Sequence, residues 1–272
     1  MGEDPEVEPA DSDLIASGYD AFYSVWGHSP TLRRIWRQHV TGPDFPEEFA
    51  HISFISLDQL RSLTEGLHLA SNQILVDLAC GAGGPGLWAA KESGARLVGL
   101  DLSPVAAERA AERAVTVGMG VRATFGQGTF EATGLSPESA DAVMTVDALQ
   151  YAPDKMRALV EVARVVRPGG RFAFVAFELD AERTGELPVW QDPVSDYRPL
   201  LREAGFEVLS YEQIPDWQQH VAAGFGAILE EQDALGRELG EAATAAVVLE
   251  AAITLELRPY CGHVLAITVR AL

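Results

Sequence analysis

From residue 74 the hydrophobic pattern alternates between two periods. Short apolar runs of strand length are separated by stretches with apolar residues every three or four positions. The spacing predicts strands at Ile74–Asp77, Arg96–Asp101, Val121–Phe125, Asp141–Val146, Arg171–Glu178, Phe206–Tyr211 and Val264–Val269. Helices are expected between them. One opens at Ser103-Pro104, an N-cap followed by Pro at the first helical position, and runs to about Val117. Another covers Asp154–Val166 and is halted by Pro168-Gly169-Gly170; a third covers Arg198–Ala204. Strands that alternate with helices make an α/β fold with a parallel sheet covered on both faces.

Ahead of residue 70 the period is helical throughout and unusually aromatic. Leu14, Ile15, Tyr19, Phe22, Tyr23 and Trp26 share a helical spacing that His28-Ser29-Pro30 breaks. Thr31–Val40 sets Leu32, Ile35, Trp36 and Val40 against Arg33, Arg34 and Arg37, a solvated face that could also steer an anionic substrate. Ser56 caps a third helix through Leu67. Residues 215–259 are again helical and Ala-rich. The domain reading is an N-terminal helical lid region, 1–70, and a core, 71–272, with a helical insertion at 215–259 before the last strand.

The chemistry concentrates at ILVDLACGAGGPG, residues 74–86. A buried strand ends near a carboxylate, Asp77, and passes through Gly81, Gly83, Gly84 and Gly86 into a helix. Such a turn presents backbone N–H groups at a helix N-terminus, and glycine lets a ligand lie against them. Gly81-x-Gly83-x-x-Gly86 satisfies the dinucleotide fingerprint, with Asp101 at the distance of a ribose-binding acid. Three features argue against NAD and an oxidoreductase, one of them the run RVVRPGGRFAF (164–174) that links the fourth and fifth strands. Asp77 would repel a pyrophosphate but attract an ammonium or sulfonium, and Pro85 removes an N–H from the turn. Asp77, Asp101, Asp147 and Glu178 all fall at strand ends, so the ligand edge collects acids.

Bulk properties narrow the partners. The 272 residues carry a formal net charge of −20, which disfavours a nucleic-acid substrate. Two cysteines, Cys80 and Cys261, make no disulfide framework and fit a reducing cytoplasm. CxxC and HExxH spacings are absent, so no metal is expected. The acidic start reads as a solvated tail without signal-peptide character, and no apolar run approaches the ~20 residues of a membrane span. The Ala-rich stretch 240–255 is ordinary helix packing or an oligomer contact, so a homodimer is one expectation.

Four blocks together, VDLACGAGGPG (76–86), LVGLDLSP (97–104), GTFEATGLSPESADAVMTVDALQYAPD (128–154) and RVVRPGGRFAF (164–174), resemble class I S-adenosylmethionine (SAM)-dependent methyltransferases. The likeness is to the small-molecule branch that includes ubiquinone/menaquinone-type and bacterial natural-product enzymes. It implies a Rossmann-like seven-stranded, mostly parallel sheet whose last strand runs antiparallel, and SAM as cofactor. It further implies that Asp77 and the backbone from Ala79 through Gly81 to Gly83 hold the methionine end, and that Asp101 binds the ribose hydroxyls. Leu102 would pack on adenine, with Thr129 and Phe130 at its edge. Many relatives carry Asp at the Thr129 position, so this contact is expected to be weaker here. Asp147 and Gln150 would lie beside the sulfonium, and Tyr19, Trp26 and Ser53-Phe54 would close over it. Asp101→Ala is expected to weaken SAM binding and to leave fold stability almost unchanged. The alternative within this fold is a SAM-binding protein that does not methylate, cyclase-like or with a structural cofactor.

An oxygen nucleophile often needs a base. The histidines are His28, His39, His51, His68, His220 and His263. His28 stands out because it follows the aromatic stretch, and His220 because it lies near Asp216 and Trp217 on an expected lid helix. Glu178, at a strand end on the ligand edge, is the third catalytic candidate. Asp147 competes as a base, though its position suits the cofactor better.

Overall fold

The computed structural model describes Tyr23, Gly27 and residues 29–185, 187 and 191–272. The expected aromatic helix at 13–26 and the candidates Tyr19, Trp26 and His28 lie outside the described residues, Tyr23 apart. In chain order the main elements are α1 (Pro30–Trp36), α2 (Leu57–Gly66), β1 (Ile74–Leu78), α3 (Gly84–Ser93), β2 (Arg96–Asp101) and α4 (Pro104–Thr116). Next come β3 (Ala123–Gln127), β4 (Ala140–Val146), α5 (Lys155–Val165), β5 (Val166–Leu179), α6 (Arg198–Glu203) and β6 (Phe206–Gln213). The chain ends with α7 (Trp217–Glu230), α8 (Gln232–Leu239), α9 (Glu241–Leu257) and β7 (Cys261–Arg270).

Seven strands form one sheet in the order β3-β2-β1-β4-β5-β7-β6. The pairs from β3 to β5 are parallel, whereas β7 runs antiparallel to both β5 and β6. The chain leaves β1 toward β2 and β3, then returns to β4 on the other side. The carboxyl ends of β1 and β4 therefore flank the switch point where open α/β sheets bind ligands.

Strand periodicity divides the core cleanly. Leu75, Leu97, Ala142, Met144, Ala173, Val175, Phe177 and Leu265 point to one face, where residues of α1, α2, α3, α7, α8 and α9 cover them. Val76, Leu100, Val143, Phe172, Phe174, Ala176, Val264 and Ala266 point to the other, against α5 and α6. A step of one residue along a strand reverses the face.

Local signals set most helix starts. Ser56 and Gln59 form a reciprocal capping box at α2. Ser103 Oγ accepts from Ala106 N at 3.0 Å at α4. Two expectations need correction. Thr31–Val40 is α-helical only to Trp36 and continues as a π-turn, Arg37–Thr41. Pro168-Gly169-Gly170 does not separate a helix from a strand, because β5 already starts at Val166. Its Val166 pairs with Ala140 and Arg171 with Ala142, so the Pro-Gly-Gly run is absorbed as an irregularity in the ladder. The 215–259 stretch is helical as expected, as three helices with breaks at Glu231 and Gly240.

Candidate functional site

The glycine turn is built from backbone that ordinary residues avoid. Ala79, Gly81 and Gly83 all have positive φ, at 55°, 53° and 78°. The carboxylate of Asp101 holds the turn in place: one oxygen accepts from Gly81 N at 2.7 Å and the other from Ser103 N at 2.9 Å. Asp77 is 2% exposed and accepts from the Gly86 N–H. A methyl group at Gly86 would overlap its Oδ2, so only glycine fits there. Burial, then the charge of Asp101, pushes the Asp77 carboxyl well above the usual range. A buried carboxylate beside a second one attracts a cationic group. Above Gly81 stands the hydroxyl of Tyr23, where a Cβ would collide with it. The acidic pair, the bare glycine backbone and the aromatic cover fit the amino, carboxyl and ribose groups of SAM.

Further along the sheet edge the contacts are local. Leu102 is half-buried and its carbonyl accepts from Gln127 Nε2 at 3.1 Å. Thr129 Oγ1 accepts from Ala132 N at 3.1 Å, closing a turn on itself. Phe130 packs against the second core face.

The carboxyl end of β4 carries the densest polar cluster. Asp147 has φ 53°, the left-handed region that a non-glycine residue adopts only when its surroundings impose it. Its Oδ1 lies 2.7 Å from His263 Nε2 and its Oδ2 accepts from Phe54 N at 2.5 Å. Gln150 clamps the same corner, donating to the Asp147 carbonyl at 2.7 Å and accepting from Phe177 N at 3.4 Å. His263 is fully buried in β7 and stacks on Phe177, centroids 4.2 Å apart and planes 11° apart. His51 is also buried, and its Nδ1 accepts from Ser53 N at 3.1 Å. Burial lowers the His51 pKa to about 4, against the raising effect of the nearby Asp147 charge.

Aromatic rings enclose this corner. Phe54 contacts Trp36, Phe177 and Phe225 at centroid distances of 5.3, 6.2 and 5.1 Å. Trp217 meets Phe177 at 5.4 Å and His263 at 5.9 Å. Outside Trp36 and His51 lies a cavity of ≈ 580 Å³, walled also by Arg33, Arg37 and Phe45.

The expected residues therefore fall into two groups. Asp77, Ala79, Gly81, Gly83 and Asp101 converge on one turn, and Ser53, Asp147 and Gln150 on the aromatic corner. The three catalytic candidates do not join them. His28 lies outside the described residues. Glu178 is one step beyond Phe177 and so faces the other side of the sheet, where it accepts from Tyr211 Oη at 2.5 Å and Gln213 Nε2 at 2.7 Å. His220 is half-buried on α7, one turn past Trp217, and is not among the groups bonded to Asp147. Two histidines that drew no special notice, His51 and His263, are the ones at the site. His263 did leave a signal: it shares strand parity with Leu265 and Ile267, a polar residue in an inward phase. His51 left none, being in a loop.

Asp101 also revises an expectation. At 7% exposure, with two backbone N–H groups to satisfy, it is a structural clamp, so its loss costs stability.

Residues 76–174 match a methyltransferase domain family. The chain is 29% identical over 220 residues to 27-O-demethylrifamycin SV methyltransferase of Amycolatopsis mediterranei, covering 75% of this chain and 79% of that one. It is 27% identical over 239 residues to 2-methyl-6-phytyl-1,4-hydroquinone methyltransferase of Synechocystis, with 86% and 68% covered. In fold it is similar to the [4+2]-cyclase SpnF, with a TM-score of 0.75, 19% identity and 96% of each chain covered. Residues 76–174 thus match a methyltransferase domain, and over most of its length the chain is similar to methyltransferases that act on small molecules.

Proposed function

We propose that the protein methylates a hydroxyl group on an apolar, ring-bearing small molecule of the natural-product or quinol type. The observation that carries this is the Asp147 corner: a fixed acid and two buried histidines walled by Trp36, Phe54, Phe177, Trp217 and Phe225. An apolar box with a few converging polar groups selects a small ligand with a flat apolar body. The relatives named above, one acting at an oxygen of a rifamycin and one on a prenylated hydroquinone, support the same class. The two free cysteines agree with a reducing cytoplasm.

Bound SAM supplies a methyl group already activated on a sulfonium. The chain's own task is then alignment, exclusion of water and removal of one proton. Asp77 and the Ala79–Gly83 backbone would hold the amino-acid end, and Asp101 would accept from the ribose hydroxyls. Leu102, Phe130 and the Thr129 turn would border the adenine, and Tyr23 and Ser53 the methionine end. The front helices and α7–α9 would act as the lid. Asp147 and Gln150 are committed to Phe54, Phe177 and His263, so they order this corner more than they grip the cofactor.

Isothermal titration with SAM, S-adenosylhomocysteine and NAD tests the reading. Binding of the first two and not the third is the expected result. Binding of NAD alone would overturn the assignment of the glycine turn.

A further inference from the structure

Two ring nitrogens of the buried corner, His51 Nε2 and His263 Nδ1, have no hydrogen-bond partner among the described residues. A buried polar atom left unpaired is costly, so each needs a reason. The partners of the opposite nitrogens fix what each one is. Asp147 accepts from Phe54 N on one oxygen and faces His263 Nε2 with the other. With Asp147 accepting on both oxygens, His263 donates from Nε2, and Nδ1 is the ring nitrogen left without a partner among the described residues. His51 is the reverse. Its Nδ1 accepts from Ser53 N–H, so its remaining nitrogen is an N–H donor. Only one of the two histidines can take a proton while neutral.

We infer that His263 is the general base of the reaction, through Nδ1, and that Asp147 is its positioning residue. This rests on the hydroxyl acceptor proposed above. The acceptor oxygen forms a bond to the methyl carbon as the carbon–sulfur bond breaks, and the electron pair of that bond stays on sulfur. The hydroxyl proton passes to His263 Nδ1, which becomes an imidazolium paired with Asp147 and later returns the proton to water. Stacking on Phe177 fixes the ring plane, and the edge of Trp217 closes one side. His263 is fully buried against Phe177 and Trp217, so proton transfer requires this cover to open to the acceptor. Glu178 is excluded from this role because it faces the opposite side of the sheet, bonded to Tyr211 and Gln213. His51 can donate to a substrate oxygen but not deprotonate it.

The test combines a readout on the wild-type protein with a kinetic one. In protein labelled with 15N-histidine and saturated with S-adenosylhomocysteine, the ring-nitrogen signals at neutral pH that are missing from His263→Asn should be those of a neutral imidazole protonated on Nε2 and unprotonated on Nδ1. With SAM and a panel of para-substituted phenols of graded acidity, His263→Asn should keep its affinity for S-adenosylhomocysteine but lose about 10²–10³-fold in turnover. That deficit should shrink as the phenol becomes more acidic, a trend that a purely structural histidine would not produce. An Nδ1-protonated or doubly protonated His263 would overturn the inference, as would a deficit independent of phenol acidity. Intact cofactor binding with no transfer to any phenol would remove the hydroxyl acceptor, and the base with it. Failure of the wild type to bind SAM or S-adenosylhomocysteine would instead strike the cofactor reading.

Discussion

The two halves of the site are made in opposite ways. The cofactor turn is nearly continuous in sequence: Asp77, the glycines and Asp101 lie within 76–104, and one βαβ unit positions all of them. The acceptor corner is assembled from His51 in a front loop, Asp147 after β4 and His263 in the last strand. The first half depends on local backbone conformation. The second depends on the sheet being complete, because β7 delivers His263 only once it has inserted between β5 and β6. A local site tolerates changes elsewhere in the molecule, and an assembled one does not.

That contrast can be broken most forcefully at Phe54, which touches three rings and donates its backbone N–H to Asp147. Phe54→Ala should cost about 3–5 kcal/mol of stability by opening a cavity. Denaturant unfolding measures this, and in folded protein methyl transfer should fall much more than SAM affinity. Equal losses of both would mean that the two halves are one unit.

Asp101→Ala attacks the other half. Calorimetry should show SAM affinity falling by about 2–3 kcal/mol as a charged acceptor is lost. The melting temperature should also drop, because Gly81 N and Ser103 N lose their partner. An unchanged melting temperature would mean that the turn holds its shape without the clamp.

Gly86→Ala is smaller. Its methyl group would press on Asp77 Oδ2, and a shift of that carboxylate should cost about 1–3 kcal/mol. The damage should appear in cofactor binding and leave the ring spectrum of His263 unmoved.

A control outside both halves is Glu161, which hydrogen bonds to Arg164 and Thr133 hold at about 2, below its ordinary 4.5. A depressed carboxyl stabilises the fold above its unfolded value. That contribution should fade as pH falls from about 4.5 toward 2. Glu161→Gln should flatten this part of the acid-unfolding curve and change neither cofactor nor acceptor chemistry.

Sequence was informative where function is local. The period-2 runs located the sheet, Ser103-Pro104 located the start of α4, and the clustered glycines located the turn, because each is a short-range consequence of backbone sterics or capping. Pro168-Gly169-Gly170 misled for the same reason: turn-forming residues inside a strand are tolerated when the neighbouring strand accepts a register shift. The choice among six histidines was not legible, since burial and partners are properties of packing. Glu178 shows how small the margin is: next to Phe177 in sequence, it is placed by the strand's alternation on the opposite face.

By itself, then, the amino-acid order determined the α/β alternation and the glycine turn with its flanking acids, and the resemblance carried by its four motif blocks pointed to the cofactor. Tertiary structure decided which face each strand residue serves, which histidine meets Asp147, and which of its nitrogens is left bare. The physical reason is range. Dihedral preference and periodicity act over a few residues, whereas the hydrogen bond from His263 to Asp147 spans 116 positions and exists only when the folded sheet brings them to 2.7 Å.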